Sequence, residues 1–246
     1  MRRIIVLNPK GGSGKTTLAT NLASYYALRG QKTALMDFDN QGSSTHWLDA
    51  RPPELPSIQG IAAYKHPHGV TRSWFMRVQP GTERVITDTP AALDFRHFRD
   101  TLNEASAIVI PVLPSEIDIR AVSNCIGDLM STTRVHWQER RIAVVANRVR
   151  RNTLIYQKLV FFLGSLKIPF IATLRDTQNY IHAAEGGRGI FDLPRSQVRD
   201  DLQSWEPLLE WVESREPPVP VGEKPVGERS VEGKPANAGA VLQRRP

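Results

Sequence analysis

An α/β fold, with a doubly wound and mostly parallel sheet carrying helices on both faces, is predicted by two features of the chain. Short apolar runs alternate with segments of helical spacing over most of its length. The first run leads through a glycine-rich turn straight into a helix, the arrangement of a βαβ crossover. Predicted strands are Arg3–Asn8, Lys32–Asp37, Arg84–Asp88, Ser106–Val112, Arg141–Asn147 and Ile168–Leu174. Predicted helices lie near Thr16–Arg29, Asp94–Asn103, Asp118–Thr132, Thr153–Leu166, Thr177–Ala184 and Ser196–Ser214. Residues 48–83 fit least well, because Pro52, Pro53 and Pro56 break the chain. Within that segment Trp74 and Phe75 are expected to bury against the sheet.

The first strand is the apolar run Ile4-Ile5-Val6-Leu7, and Lys10-Gly-Gly-Ser-Gly-Lys-Thr-Thr follows it. Leu18, Leu22, Tyr25 and Leu28 then space out a helix that stops at Gly30. Strand, glycine turn and helix start, in that order, are the context that makes a phosphate-binding loop credible. Gly11, Gly12, Ser13 and Gly14 let successive N–H groups point at phosphate oxygens, and the helix N-terminus adds partial positive charge. Lys15 is the cation for the β/γ-phosphates, the Thr16 hydroxyl a ligand for Mg²⁺, and Thr17 part of the same cradle. A nucleoside triphosphate is the expected ligand.

Two more strands end in carboxylates at the same sheet edge. Met36-Asp37-Phe38-Asp39 closes the second, and Val85-Ile86-Thr87-Asp88 closes the third, where a P-loop protein holds Mg²⁺. Asn147 closes the Ala143-Val144-Val145-Ala146 strand, either to hydrogen-bond the base or to form a turn.

Composition narrows the alternatives. At 246 residues and 40% hydrophobic, residues 1–214 are long enough for one domain with a substantial core. Arg215–Pro246, rich in Pro, Gly and charge, reads as a disordered tail. No apolar stretch approaches the ~20 residues of a membrane span, and no signal peptide is expected, so a cytoplasmic protein is the simplest reading. A single cysteine, Cys125, cannot form an intrachain disulfide. The net charge of +7 is concentrated: residues 134–199 hold twelve Lys/Arg against four acids, whereas residues 200–214 hold five acids and no base. Such a block suits a polyanion, with nucleic acid the first candidate.

Lys10-Gly-Gly-Ser-Gly-Lys15-Thr, Asp37-Phe38-Asp39-Asn40-Gln41-Gly42-Ser43, Asp88-Thr89-Pro90 and Pro111-Val112-Leu113-Pro114-Ser115 together resemble the ParA/MinD family of deviant Walker ATPases. The likeness covers about residues 1–214. It implies a P-loop NTPase fold that binds ATP and Mg²⁺ and hydrolyses ATP to ADP and phosphate. Lys10 corresponds to the family's extra lysine, which reaches across a nucleotide-sandwich homodimer to the partner's phosphates and offsets charge in the transition state. By the same resemblance Asp39 orients the attacking water within the metal site, and Asp88 holds Mg²⁺ through water. Asn40 and Ala91 stand where the family usually has proline.

Within the family, Cys125 has no companion with which to share an iron–sulfur cluster. A MinD-like membrane anchor needs a basic amphipathic helix, but Ser196–Ser214 has an acidic polar face, so no membrane partner is expected. The resemblance then points to the ParA side, whose small members position cargo: a plasmid, a chromosome origin or a protein organelle such as the carboxysome. There the ATP-bound dimer binds DNA without sequence preference, and a cargo-bound adaptor stimulates hydrolysis. Arg148, Arg150, Arg151, Arg175 and Arg188 are the candidate DNA contacts, with Arg148 and Arg175 alternatively serving nucleotide or structural carboxylates. The rival readings are an ATP-dependent biosynthetic enzyme resembling dethiobiotin synthetase or the cobyrinate amidase synthases, and a membrane-associated division regulator.

Overall fold

A computed structural model describes residues 1–65, 71, 76–133, 135, 141–150, 153–165 and 168–217. Its elements run β1 (Arg2–Val6), α1 (Lys15–Leu28), β2 (Thr33–Asp37), α2 (Ser43–Asp49), β3 (Gln59–Ala62), β4 (Arg84–Asp88), α3 (Phe95–Asn103), β5 (Ala107–Val112), α4 (Glu116–Thr132), β6 (Ile142–Val149), α5 (Leu154–Ser165), β7 (Phe170–Arg175), α6 (Asn179–Glu185) and α7 (Arg195–Glu213). The strands form one seven-stranded sheet in the order β3-β2-β4-β1-β5-β6-β7, and every pairing is parallel. Each predicted strand is present, moved by at most two residues at either end.

Side chains alternate across the sheet, and the alternation builds two large cores, with a smaller cluster around Met36, Ile61 and Val85 toward the β3 edge. Ile4 and Val6 join Leu18, Leu22, Tyr26, Leu35 and Trp205 under α1 and α7. Ile5 and Leu7 join Ile108, Ile110, Val122, Leu129 and Leu159 under α3, α4 and α5. The chain leaves β1 toward β2 on one side and later crosses from β4 to β5 on the other. The loop after β1 therefore sits at the switch point of the sheet, at the carboxyl ends of the strands, where ligands of such folds bind.

Two expectations need revision. The stripe read from Leu18, Leu22, Tyr25 and Leu28 ends in an exposed Leu28, while Tyr26 is fully buried. Packed between the sheet and the C-terminal elements, α1 buries ten of its fourteen residues, and a single stripe cannot describe it. The break over residues 48–83 conceals β3, and α2 precedes it. Trp74, Phe75, Arg151 and the chain from residue 218 lie outside the described residues.

Candidate nucleotide site

The phosphate loop is shaped by its own backbone. Gly12 and Gly14 adopt φ of 76° and 92°, where an L side chain is strained. At Gly14 even the space is closed, since an added Cβ would collide with Asn147 Nδ2. That amide donates to the Ser13 carbonyl at 2.9 Å, tying the end of β6 to the loop. Asn147 therefore does a third thing besides the two roles open to it from sequence. Ser13 is itself fully buried, and its hydroxyl donates to the Lys10 carbonyl at 3.2 Å, so its side chain shapes the loop from within.

Lys15, largely buried, donates to the same Lys10 carbonyl at 3.0 Å. Burial lowers its pKa, opposed by the nearby charges of Asp88 and Asp39. Beside it, Asp88 closes β4, in register with Val6 of β1 and Asp37 of β2. Its Oδ2 accepts from the Thr16 hydroxyl at 2.7 Å and the Ser44 hydroxyl at 2.6 Å. Its Oδ1 is buried with no hydrogen-bond partner, and burial raises the carboxyl pKa to about 6. A buried carboxylate oxygen awaiting a partner, next to two hydroxyls, is a hard-oxygen set that fits Mg²⁺. Thr16 and Asp88 are thus brought together as expected, and Ser44 joins them from α2.

The other two carboxylates of this edge divide their work. Asp37 accepts from the amide and the hydroxyl of Thr45 at 2.9 Å each, and from the Asp39 amide at 3.1 Å. It is a turn and helix-start residue. Asp39 accepts from the Gln41 amide at 3.0 Å and faces the cleft. That cleft, about 580 Å³, is lined by Gly11, Gly12, Gly14, Lys15, Thr16 and Thr17 on one side. Asn147, Arg148, Arg150 and Arg175 close the other side.

Charge counting along the chain gave no view of where these arginines point. Arg148, whose own φ is 52°, and Arg150 both pair with Asp176, at 3.4 and 3.2 Å. Arg175 bridges Asp201 at 2.9 Å and Asp200 at 3.1 Å, and Arg188 reaches Glu54 at 3.0 Å. The acids that follow the basic block in sequence fold back onto it. Lys10 also finds a partner within the chain: its ammonium lies 3.2 Å from Oδ1 of Asp118, a buried carboxylate in the first turn of α4. Asp118 carried no sequence signal beyond being an acid at a helix start, where any acid is favourable.

A glycine cradle, a buried lysine and a Thr–Asp pair on a parallel sheet define a P-loop nucleotide-binding protein. The chain belongs to the CobQ/CobB/MinD/ParA nucleotide binding domain family, which it matches over residues 4–190. It is 29% identical over 191 residues to the maintenance of carboxysome distribution protein A of Halothiobacillus neapolitanus, covering 77% of this chain and 87% of that protein. The protein of the same name from Gloeobacter kilaueensis is 34% identical over 118 residues, 48% of this chain and 52% of its own length. Among solved structures, apo McdA of Cyanothece superposes with a TM-score of 0.66 at 14% identity, over 86% of this chain and 99% of that one. Among the described residues no helix is long and apolar enough to cross a membrane.

Proposed function

We propose that the chain is an ATPase that dimerises around ATP, binds DNA without sequence preference and positions an intracellular cargo. The observation that carries this reading is Lys10, a second cation at the base of the phosphate loop, set beside a cleft of nucleotide size. The names of its relatives support carboxysomes as the cargo.

In this reading the loop amides from Gly11 to Thr17 and the Lys15 ammonium hold the triphosphate. Thr16 and Asp88 hold Mg²⁺, Ser44 orients the Asp88 carboxylate, and Asp39 orients the attacking water at the cleft mouth. Bound Mg²⁺ neutralises the triphosphate and fixes its geometry. Lys10 leaves Asp118 and contacts the phosphates of a second protomer, so ATP favours the paired form. Arg148, Arg150, Arg151, Arg175 and Arg188 are the DNA contacts, and phosphate has to compete with Asp176, Asp200, Asp201 and Glu54 for four of them. A cargo-bound adaptor then stimulates hydrolysis, which returns the protein from the nucleoid to the cytoplasm.

DNA co-sedimentation of the full chain tests the cycle. Binding should require ATP and Mg²⁺, fall steeply with salt and ignore sequence. Lys15→Ala should abolish it, and Asp39→Ala should trap the complex. Binding that is equal with ADP, or flat with salt, would contradict the reading. So would ATP turnover that requires a small-molecule acceptor.

A further inference from the structure

Two carboxylates line the nucleotide cleft, Asp39 and Asp176. The charge of Asp39 bears on Lys15 and so belongs to the phosphate end, whereas Asp176 is absent from the charges acting on that lysine. Asp176 follows β7, and its amide donates to the Val149 carbonyl at 3.2 Å, which ties the turn to β6. Each carboxylate oxygen takes one guanidinium: Oδ1 accepts from Arg148 Nε at 3.4 Å and Oδ2 from Arg150 Nη2 at 3.2 Å. The acid is the covered member of the trio, its side chain 26% exposed against 59% and 80% for the two arginines. The backbone bends to make this arrangement. Among the described residues Arg148 alone of the non-glycines has a positive φ, and the β6–β7 register slips between Ala146 and Val149 around it. A bulge re-aims side chains, and backbone strain of this kind collects at functional sites.

We infer that Asp176 accepts the ribose hydroxyls of the nucleotide and makes the site selective for ribonucleotides over 2′-deoxyribonucleotides. The inference deepens the proposed ATPase reading and rests on it. Charge assigns the role. An anion in a cleft built for a triphosphate repels the phosphates, so its place is against the neutral part of the ligand. The donors there are the ribose hydroxyls and the amino group of the base. An ionised carboxylate only accepts, through two oxygens with about four lone-pair sites, and the vicinal hydroxyls of ribose present two donors side by side. Both guanidiniums can stay while the diol binds, because each oxygen holds only one of them. The base has a different neighbour: Ile181 of α6 lines the cleft and is 50% exposed, an apolar surface for a flat ring. In the absence of DNA, Arg148 and Arg150 are positioning residues that fix the plane of the Asp176 carboxylate.

Isothermal titration calorimetry of the full chain with Mg²⁺ tests this, using ADP and 2′-deoxy-ADP, which avoid turnover and the proposed pairing. The wild type should bind ADP about tenfold more tightly than 2′-deoxy-ADP, the usual size of a hydrogen bond to a charged group. Asp176→Asn, which keeps one acceptor and loses the charge, should bring the two affinities within about threefold. Equal binding of the two nucleotides by the wild type would overturn the inference, and that measurement needs no variant. A variant that loses both affinities in the same proportion would overturn it too, by making Asp176 a support of the turn. So would a variant whose affinity for GDP changes while its preference for ADP over 2′-deoxy-ADP persists, since the carboxylate would then face the base. A wild type that binds neither ADP nor ATP would instead remove the nucleotide site itself, and this inference with it.

Discussion

Lys10 places its ammonium 3.2 Å from Oδ1 of Asp118, while its own carbonyl accepts the ammonium of Lys15 at 3.0 Å. One residue thus joins both cations of the phosphate loop to α4. The Asp118 side chain is 6% exposed, so moving Lys10 away strands a buried charge. Stranding a buried polar group costs about 1–3 kcal/mol, and a charged one more.

Asp118→Asn should therefore favour the released lysine and strengthen ATP-dependent self-association, by about a hundredfold in the dimer constant if the cost is near 1.4 kcal/mol in each of the two protomers. The amide can still accept at its oxygen from the Ser115 hydroxyl, which now caps this turn. Sedimentation velocity across a range of protein concentrations measures the shift. Unchanged or weaker association would mean that Asp118 does not restrain Lys10.

The Asn147–Ser13 hydrogen bond predicts a loss of nucleotide affinity from a residue that need not touch the nucleotide. Asn147→Ala leaves the Ser13 carbonyl without its donor and loosens the loop, at about 1–3 kcal/mol. ATP affinity should fall about tenfold, while far-ultraviolet circular dichroism is unchanged. Gly14→Ala, blocked by space and by φ, should abolish binding. Wild-type affinity in either variant would contradict the geometry described.

Ser44 donates to the same Asp88 oxygen as Thr16, and no sequence motif singled it out. Ser44→Ala should weaken Mg²⁺-dependent ATP binding severalfold and leave binding measured in EDTA nearly unchanged. Calorimetry with and without the metal separates the two. An equal loss in both conditions would assign Ser44 to folding rather than to the metal site.

Stability rests in part on a buried pair far from the phosphates. Asp192, whose side chain is fully buried, takes Arg51 at 3.0 Å together with the Ser24 hydroxyl and the Gly189 amide, both at 2.7 Å. Gly187 lies against the backbone of Ala50 and Arg51 too closely for any side chain. This knot locks the C-terminal elements to α1 and α2. Asp192→Ala should cost about 3–5 kcal/mol, because it leaves a buried guanidinium unpaired. Thermal unfolding checks this, and a change below about 1 kcal/mol would contradict it.

How far the sequence reached follows from these cases. The phosphate loop, Asp88 and six strands were legible because glycine chemistry and uninterrupted apolar runs are local signals. Strand β3 was not, since Gln59-Gly60-Ile61-Ala62 is short and carries one large apolar residue at a sheet edge. Nor was α2, whose Ser-Ser-Thr-His start looks like a loop until Asp37 and Asp88 take up its hydroxyls. The arginine block was legible as charge but not as geometry. Arg175 and Asp201 are 26 residues apart in the chain and 2.9 Å apart in space, so a running count of charge does not say which arginines already have a partner.

The most direct test of the central claim is light scattering on the full chain with Mg²⁺ and a non-hydrolysable ATP analogue. The wild type should double its mass with the analogue and remain single with ADP, and Lys10→Ala should remain single with both while still binding the analogue. A wild type that stays single at every concentration, or a Lys10→Ala variant that pairs as readily, would contradict the account.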